Sequence, residues 1–248
     1  MANYFHLYTN NPTAGAVDGT QVSENHAFTA PISAVLNATE AESSVIKMAI
    51  RCVEGFATVG NTVLKKLYYD GSTTAETGGN IKKWAFAPDL STPARNTYTI
   101  TTNAASGDTV AIGDVSLTAG TDFTVGSNIA TTAANIAAAI NSKSTLYTAS
   151  ASDAVITVTE KYAGAGNVLT DAVVTGTIVI TNGTAVASAA ATAEKMSTSG
   201  VWADTITFSD SIEAKNKIFW LKVTSSTDET PQKDTTTVIN GTATIQAV

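Results

Sequence analysis

The sequence predicts a mainly β fold: an antiparallel β-sandwich made by residues 1–95 and 196–248, with an inserted small α+β domain over residues 96–195. Three observations lead there. Most of the chain alternates short apolar runs with Gly, Asn, Asp and Pro, the period-two pattern of half-buried strands closed by turns. Only "TTAANIAAAINSK" carries a helical period. The aromatics are unevenly placed: Trp84, Trp202, Trp220 and ten of the fourteen Phe and Tyr lie outside residues 97–195. Aromatic rings dominate what a core can bury, so the two outer blocks are read as one sandwich of about 148 residues, an ordinary size for that architecture. The Ala-, Val- and Ile-rich middle block is read as a core of its own. "APDLSTPARN" and "ASAAATAEKMSTSG" join the two and have hinge-like composition. Two or three sandwich modules in tandem are the alternative layout.

In chain order, "SSVIKMAIRCVEGF" predicts a strand with Ile46, Met48, Ile50 and Cys52 inward, because Lys47 and Arg51 fall on the other parity. "TVLKKLYYDGSTT" predicts a strand ending in a turn at Asp70 and Gly71, and "IKKWAFA" one with Trp84 and Phe86 on one face. In the middle block, "TYTIT", "DTVAIGDVSLTAG" and "DFTVG" predict strands, with Gly113 and Asp114 as a two-residue turn. The helix has Ala133, Ile136, Ala137 and Ile140 on one face and Thr131 or Thr132 as its cap. "YTASA", "AVITVTEKYAGAGN" and "GTIVITNGT" predict further strands. In the last block, "VWADTITFS", "NKIFWLKVTSST" and "TTTVINGTATIQAV" do the same, with Phe219 and Leu221 opposite Trp220 and Lys222. "SAAATAEK" reads as a linker of partial helicity or a short docking helix.

Composition removes several function classes. A net charge of −7 and a pI near 4.7 leave no basic track for phosphates, and the pairs Lys65/Lys66 and Lys82/Lys83 fit strand alternation better. The single Cys52 makes no internal disulfide and reads as a small core residue. No apolar run is long enough to span a membrane, and "MANYFHLYTNN" lacks the features of a secretion signal. The expectation is therefore a chain made in the cytosol that stays soluble unless it is assembled into something.

The candidates for chemistry each have an ordinary reading. His6 and His26 are the only histidines, and neither sits in a nucleophile–base–acid pattern. Zinc spacing is absent; Asp228, Glu229 and Asp234, or Asp70, offer carboxylates to calcium without EF-hand spacing. "YAGAGN" lacks the ending and following helix of a phosphate loop. The Asn-x-Thr triplets at Asn37, Asn182 and Asn240 are what chance supplies in a Thr-rich chain. The expectation is no catalytic, cofactor-binding or metal residue, and no cofactor.

The middle block resembles a module that recurs in structural proteins of tailed bacteriophages and prophages. The matching positions are Thr118 to Phe123 ("TAGTDF"), Ala137 to Asn141 ("AAAIN"), Tyr147 to Ser150 ("YTAS") and Ala163 to Asn167 ("AGAGN"). The outer blocks, through "LYTNNPTAGAVDGTQVSE", "IKMAIRC" and "FWLKVTSSTDETPQKD", resemble a second group of virion proteins from phages of Gram-positive hosts. In shorter members of that group the two outer parts are contiguous. The resemblance implies an Ig-like sandwich with an inserted module, in a non-enzymatic virion component that decorates or stabilises the capsid surface. Implied partners are the major capsid protein or tail proteins, further copies of itself and the host surface, with neither nucleic acid nor membrane among them. A tail, baseplate or fibre subunit is the first alternative. A carbohydrate- or cell-surface-binding module, using Trp84, Trp202 or Trp220 as a stacking platform, is the second.

Overall fold

The computed structural model describes residues 3–24, 27, 29–37, 39–68, 83–227 and 237–248; the expected turn at Asp70 and Gly71 lies outside them. The chain is mainly β. Its strands are β1 (Phe5–Thr9), β2 (Thr20–Gln21), β3 (Ser43–Cys52), β4 (Phe56–Tyr68), β5 (Trp84–Pro88), β6 (Arg95–Thr102), β7 (Thr109–Ile112) and β8 (Val115–Thr118). Helix α1 (Ile129–Lys143) follows, then β9 (Tyr147–Ser152), β10 (Val155–Glu160), β11 (Val173–Thr175) and β12 (Val179–Asn182). Helix α2 (Ala193–Ser197), β13 (Thr205–Phe208), β14 (Lys217–Thr224) and β15 (Thr237–Ala247) complete the described chain. All strand pairs are antiparallel. Two compact units result: Met1–Leu90 with Ala191–Val248, and Ser91–Ala190.

The first unit holds a five-stranded sheet, ordered β2-β1-β3-β14-β5, and a three-stranded sheet, ordered β13-β4-β15. Alternation explains the packing between them. Met48, Ile50 and Cys52 of β3, with Phe219 and Leu221 of β14, join Leu64 of β4 and Phe208 of β13 in one buried cluster. Phe219 meets Phe208 edge to face, with ring centroids 6.1 Å apart. Gly241 of β15 is required here, since a Cβ on it would come within 2.6 Å of the Phe5 ring.

The opposite parity of β3 is less exposed than the Lys and Arg pattern implies. Ala49 is fully buried, and the Arg51 guanidinium lies 3.4 Å from the centre of the Tyr8 ring. Arg51 also donates to the Asp18 carbonyl and to Asn216 Oδ1, both at 2.6 Å. Trp220, only 3% exposed, donates from Nε1 to Asp89. Helix α2 packs on β3, and its Met196 is completely buried. "SAAATAEK" therefore ends in a docked helix within its own chain. Thr192 caps that helix by accepting from the Lys195 N–H, while Lys195 Nζ donates to the Leu90 carbonyl.

In the second unit β12-β6-β10-β9 form one sheet and β11-β7-β8 another. Tyr98, Ile100, Ile156 and Val158 meet Ile136 and Ile140 of α1 in a separate buried cluster. Gly113 and Asp114 make the expected turn, with Ile112 opposite Val115. Gly113 has φ +61, and a Cβ there would strike the Tyr147 ring.

Three expectations are corrected and one short strand is new. "DFTVG" is a turn and lead-in, with only a bridge between Ala119 and Phe123, because Asp122 folds back to accept from the Thr118 N–H. The α1 cap is Asn128, whose Oδ1 accepts from Thr131 N, while Thr132 is buried and donates to Asn103. β11 was not anticipated, its three residues being too few to show a period. The hinge-like joins are paired: Thr92 and Ala189 exchange backbone hydrogen bonds of 2.8 and 2.9 Å, and Arg95 and Val186 do likewise. The units thus divide at Leu90/Ser91 and Ala190/Ala191, five residues ahead of the composition shift at 95/96 and 195/196.

Candidate functional site

His6 and Cys52 are set apart by strand alternation. Their strands pair Phe5 with Cys52 and His6 with Arg51, so the thiol faces the core and the imidazole the other face. His6 Nδ1 lies 2.5 Å from Glu24 Oε1 and 3.1 Å from Gln21 Nε2, while Glu24 Oε2 accepts from Asn3. These contacts fasten β1 to the segment after β2. Burial pushes the Cys52 thiol above its ordinary pKa, the wrong direction for a nucleophile. His26, Lys82, Asp70, Asp228, Glu229 and Asp234 lie outside the described residues. Among the described residues no three His, Cys, Asp or Glu side chains come together as metal ligands.

The buried carboxylates are committed to backbone. Asp108 accepts from Ala105 N, Thr177 N, Thr177 Oγ1 and Ile178 N, joining the start of β7 to the approach to β12. Those hydrogen bonds, that from Ala105 foremost, lower its pKa to about 2. Glu160, 4% exposed, accepts from Ala94 N, Asn167 N and Ser188 Oγ. Lys66, the buried member of the Lys65/Lys66 pair, donates to the Trp84 carbonyl at 2.5 Å and pairs with Asp204. Such groups lock loops in place.

The residues that carry the resemblance have structural tasks. Asp122 of "TAGTDF" closes its turn and pairs with Lys143, while Phe123 is in the core. Asn141 of "AAAIN" donates to the Ala149 carbonyl and accepts from the Ala149 N–H, each at 2.7 Å, so its amide occupies the open side of β9 as a strand would. Tyr147 of "YTAS" donates to the Val168 carbonyl. In "AGAGN", Gly164 has φ +79 beside Ser91, and Asn167 N donates to Glu160. The motif thus specifies a fold.

The tryptophans offer little for stacking. Trp220 is buried, Trp84 packs against the core, and Lys222 Nζ sits 4.5 Å over the half-buried Trp202 ring. Asn37 turns onto Thr39, Asn182 accepts from Ala172 N, and Asn240 is exposed on β15. Among the described residues, one shallow depression lies beside Asp122 and Asn135 and another beside Phe56, Glu213 and Gln246. In the first, the polar groups already serve Thr118, Lys143 and Thr124.

What remains is surface. Opposite α1, the four-stranded sheet presents registered rows of small neutral side chains: Thr97, Thr157 and Ser150 in one, Thr99, Val155 and Ser152 in the next. Each hydroxyl can donate and accept, and the rows carry no charge before Arg95. Such a face suits hydrogen bonding to another neutral protein surface. No protein-family model, curated protein or solved structure matches the chain.

Proposed function

We propose that this chain is a non-enzymatic structural component of a tailed-bacteriophage virion that decorates or stabilises the capsid surface through lattice contacts. The observation that carries the reading is the pair of sequence resemblances, to a phage structural module over the middle block and to virion proteins over the outer blocks. Three features support it. The buried carboxylates Asp108 and Glu160 are spent on internal hydrogen bonds, the motif residues build a fold, and one sheet face carries half-exposed to exposed hydroxyls that neighbours could meet. On this reading the first unit is an Ig-like sandwich and the second an inserted domain. Many copies on a lattice would each gain stability from binding in the folded form alone. The partners are the major capsid protein, or tail proteins, and other copies of the chain.

The test is electron cryo-microscopy of phage particles whose copy of this protein carries a small fusion at the exposed β9–β10 turn, after Asp153. Extra density on capsid faces is expected. Density along or at the end of the tail would replace decoration by a tail role, and particles without the protein would overturn the virion reading.

A further inference from the structure

The sheet edges of this protein are not treated alike. β2 has two residues, β11 three, and β8, β12 and β13 four each. The β5 edge is closed where Phe86 and Ala203 exchange hydrogen bonds of 2.7 and 2.8 Å. The β9 edge is occupied by the Asn141 amide. Short, covered or capped edges are how soluble proteins avoid unwanted strand pairing. β15 departs from the pattern. It has eleven residues and is the last strand of its sheet. Among the described residues, no backbone group from outside its sheet bonds to Thr237–Ala247.

The chemistry of β15 adds to this. "TVINGTATIQA" contains neither Pro nor a charged residue, in a chain with 35 charges, 14 basic and 21 acidic. Its register slips between Thr242 and Thr244, where the partner residues run from Val63 to Val59, so the two additional residues fall on β4 and β15 itself stays continuous. Ile239 and Ile245 face the core; Asn240, Thr242, Thr244 and Gln246, on the other parity, are exposed.

We propose that the β15 edge pairs antiparallel with β15 of a second copy, joining two three-stranded sheets into one of six across a two-fold axis. The absence of charge selects this occupant: an identical strand laid antiparallel meets no like-charge neighbour, and Asn, Thr and Gln can hydrogen-bond to their own kind across the pair. A partner chosen by charge would find nothing on this strand to match. The inference names one of the copy-to-copy contacts of the virion reading, and rests on that reading only for why many copies meet.

The test is sedimentation equilibrium of the full chain from low micromolar to near-millimolar concentration. The expected result is a reversible dimer of twice 25.4 kDa. Thr242→Lys combined with Thr244→Lys, at exposed positions, is expected to return it to a monomer with unchanged circular dichroism. Asn240→Cys, Thr242→Cys and Thr244→Cys, made singly, check the geometry, because Cys52 is buried and the new thiol nearest the two-fold crosslinks fastest on oxidation. A chain that stays monomeric throughout, or a dimer untouched by the lysines, overturns the proposal. Capsid or tail density from a monomeric protein would remove the β15 pairing and keep the virion reading; a β15 dimer absent from particles would do the reverse.

Discussion

Asp108 shows how single residues in this protein trade charge for order. Its carboxylate is held at a pKa of about 2 by donors that are absent in the unfolded chain, where about 3.9 is usual. A depressed folded pKa contributes stability that is present above the unfolded value and lost as pH falls toward the folded one. Thermal midpoints of the isolated Ser91–Ala190 unit are therefore expected to drop between about pH 4 and pH 2. Asp108→Asn should lower the midpoint at neutral pH and flatten that acid limb, as read by circular dichroism melts. Cys52 illustrates the opposite case. Cys52 is 3% exposed and its thiol pKa is raised by burial, so the folded protein should not react with a thiol reagent until denaturant is added. The burial of Cys52 is legible in the alternation of its strand, but the setting of Asp108 is not: "SGDTV" shows an acidic turn residue, and only the approach of Thr177 and Ile178, some seventy positions on, makes it a staple.

At the scale of elements, two short features do more than their composition suggests. Met196 fastens α2 from within an Ala/Ser-rich stretch, and a fully buried Met truncated to Ala typically costs about 2–5 kcal/mol. Met196→Ala should therefore lower the denaturant midpoint of the first unit by an amount a surface substitution in α2, such as Glu194→Ala, does not approach. Asn141 stands in for a missing strand. Asn141→Ala removes two solvent-exposed hydrogen bonds to Ala149, each worth about 0.5–1.5 kcal/mol net. Faster amide exchange at Ala149, against unchanged exchange at Ile156, is the expected signature. The strand faces were readable because alternation is a local property: Met48, Ile50, Phe219 and Leu221 point where their parity puts them. "DFTVG" was not, because a side-chain hydrogen bond from Thr118 N to Asp122 outweighs β propensity in so short a run.

For the whole molecule, the presence of two separate cores is the controlling fact. Each buried cluster draws only on residues of its own unit. The ends of the second unit are joined by the Thr92–Ala189 pair, so its chain termini are already fixed within it. Residues 91–190 expressed alone are expected to fold with a cooperative thermal transition and dispersed amide spectra. An unfolded fragment would mean that its core depends on the rest of the chain.

Strand content, facing parity, the single long helix and the division of aromatic from aliphatic segments all follow from short-range order in the chain, since each reflects periods of two or 3.6 residues or a change in composition. Which sheet each strand joins is a different matter. That β14 lies between β3 and β5, that Asn216 holds the Thr13–Asp18 turn, and that β15 has an edge unbonded among the described residues while β9 has not, are consequences of pairings across a hundred or more residues or of a side chain reaching from another element. Such pairings are decided by the joint burial of many side chains, a quantity no local window of sequence contains.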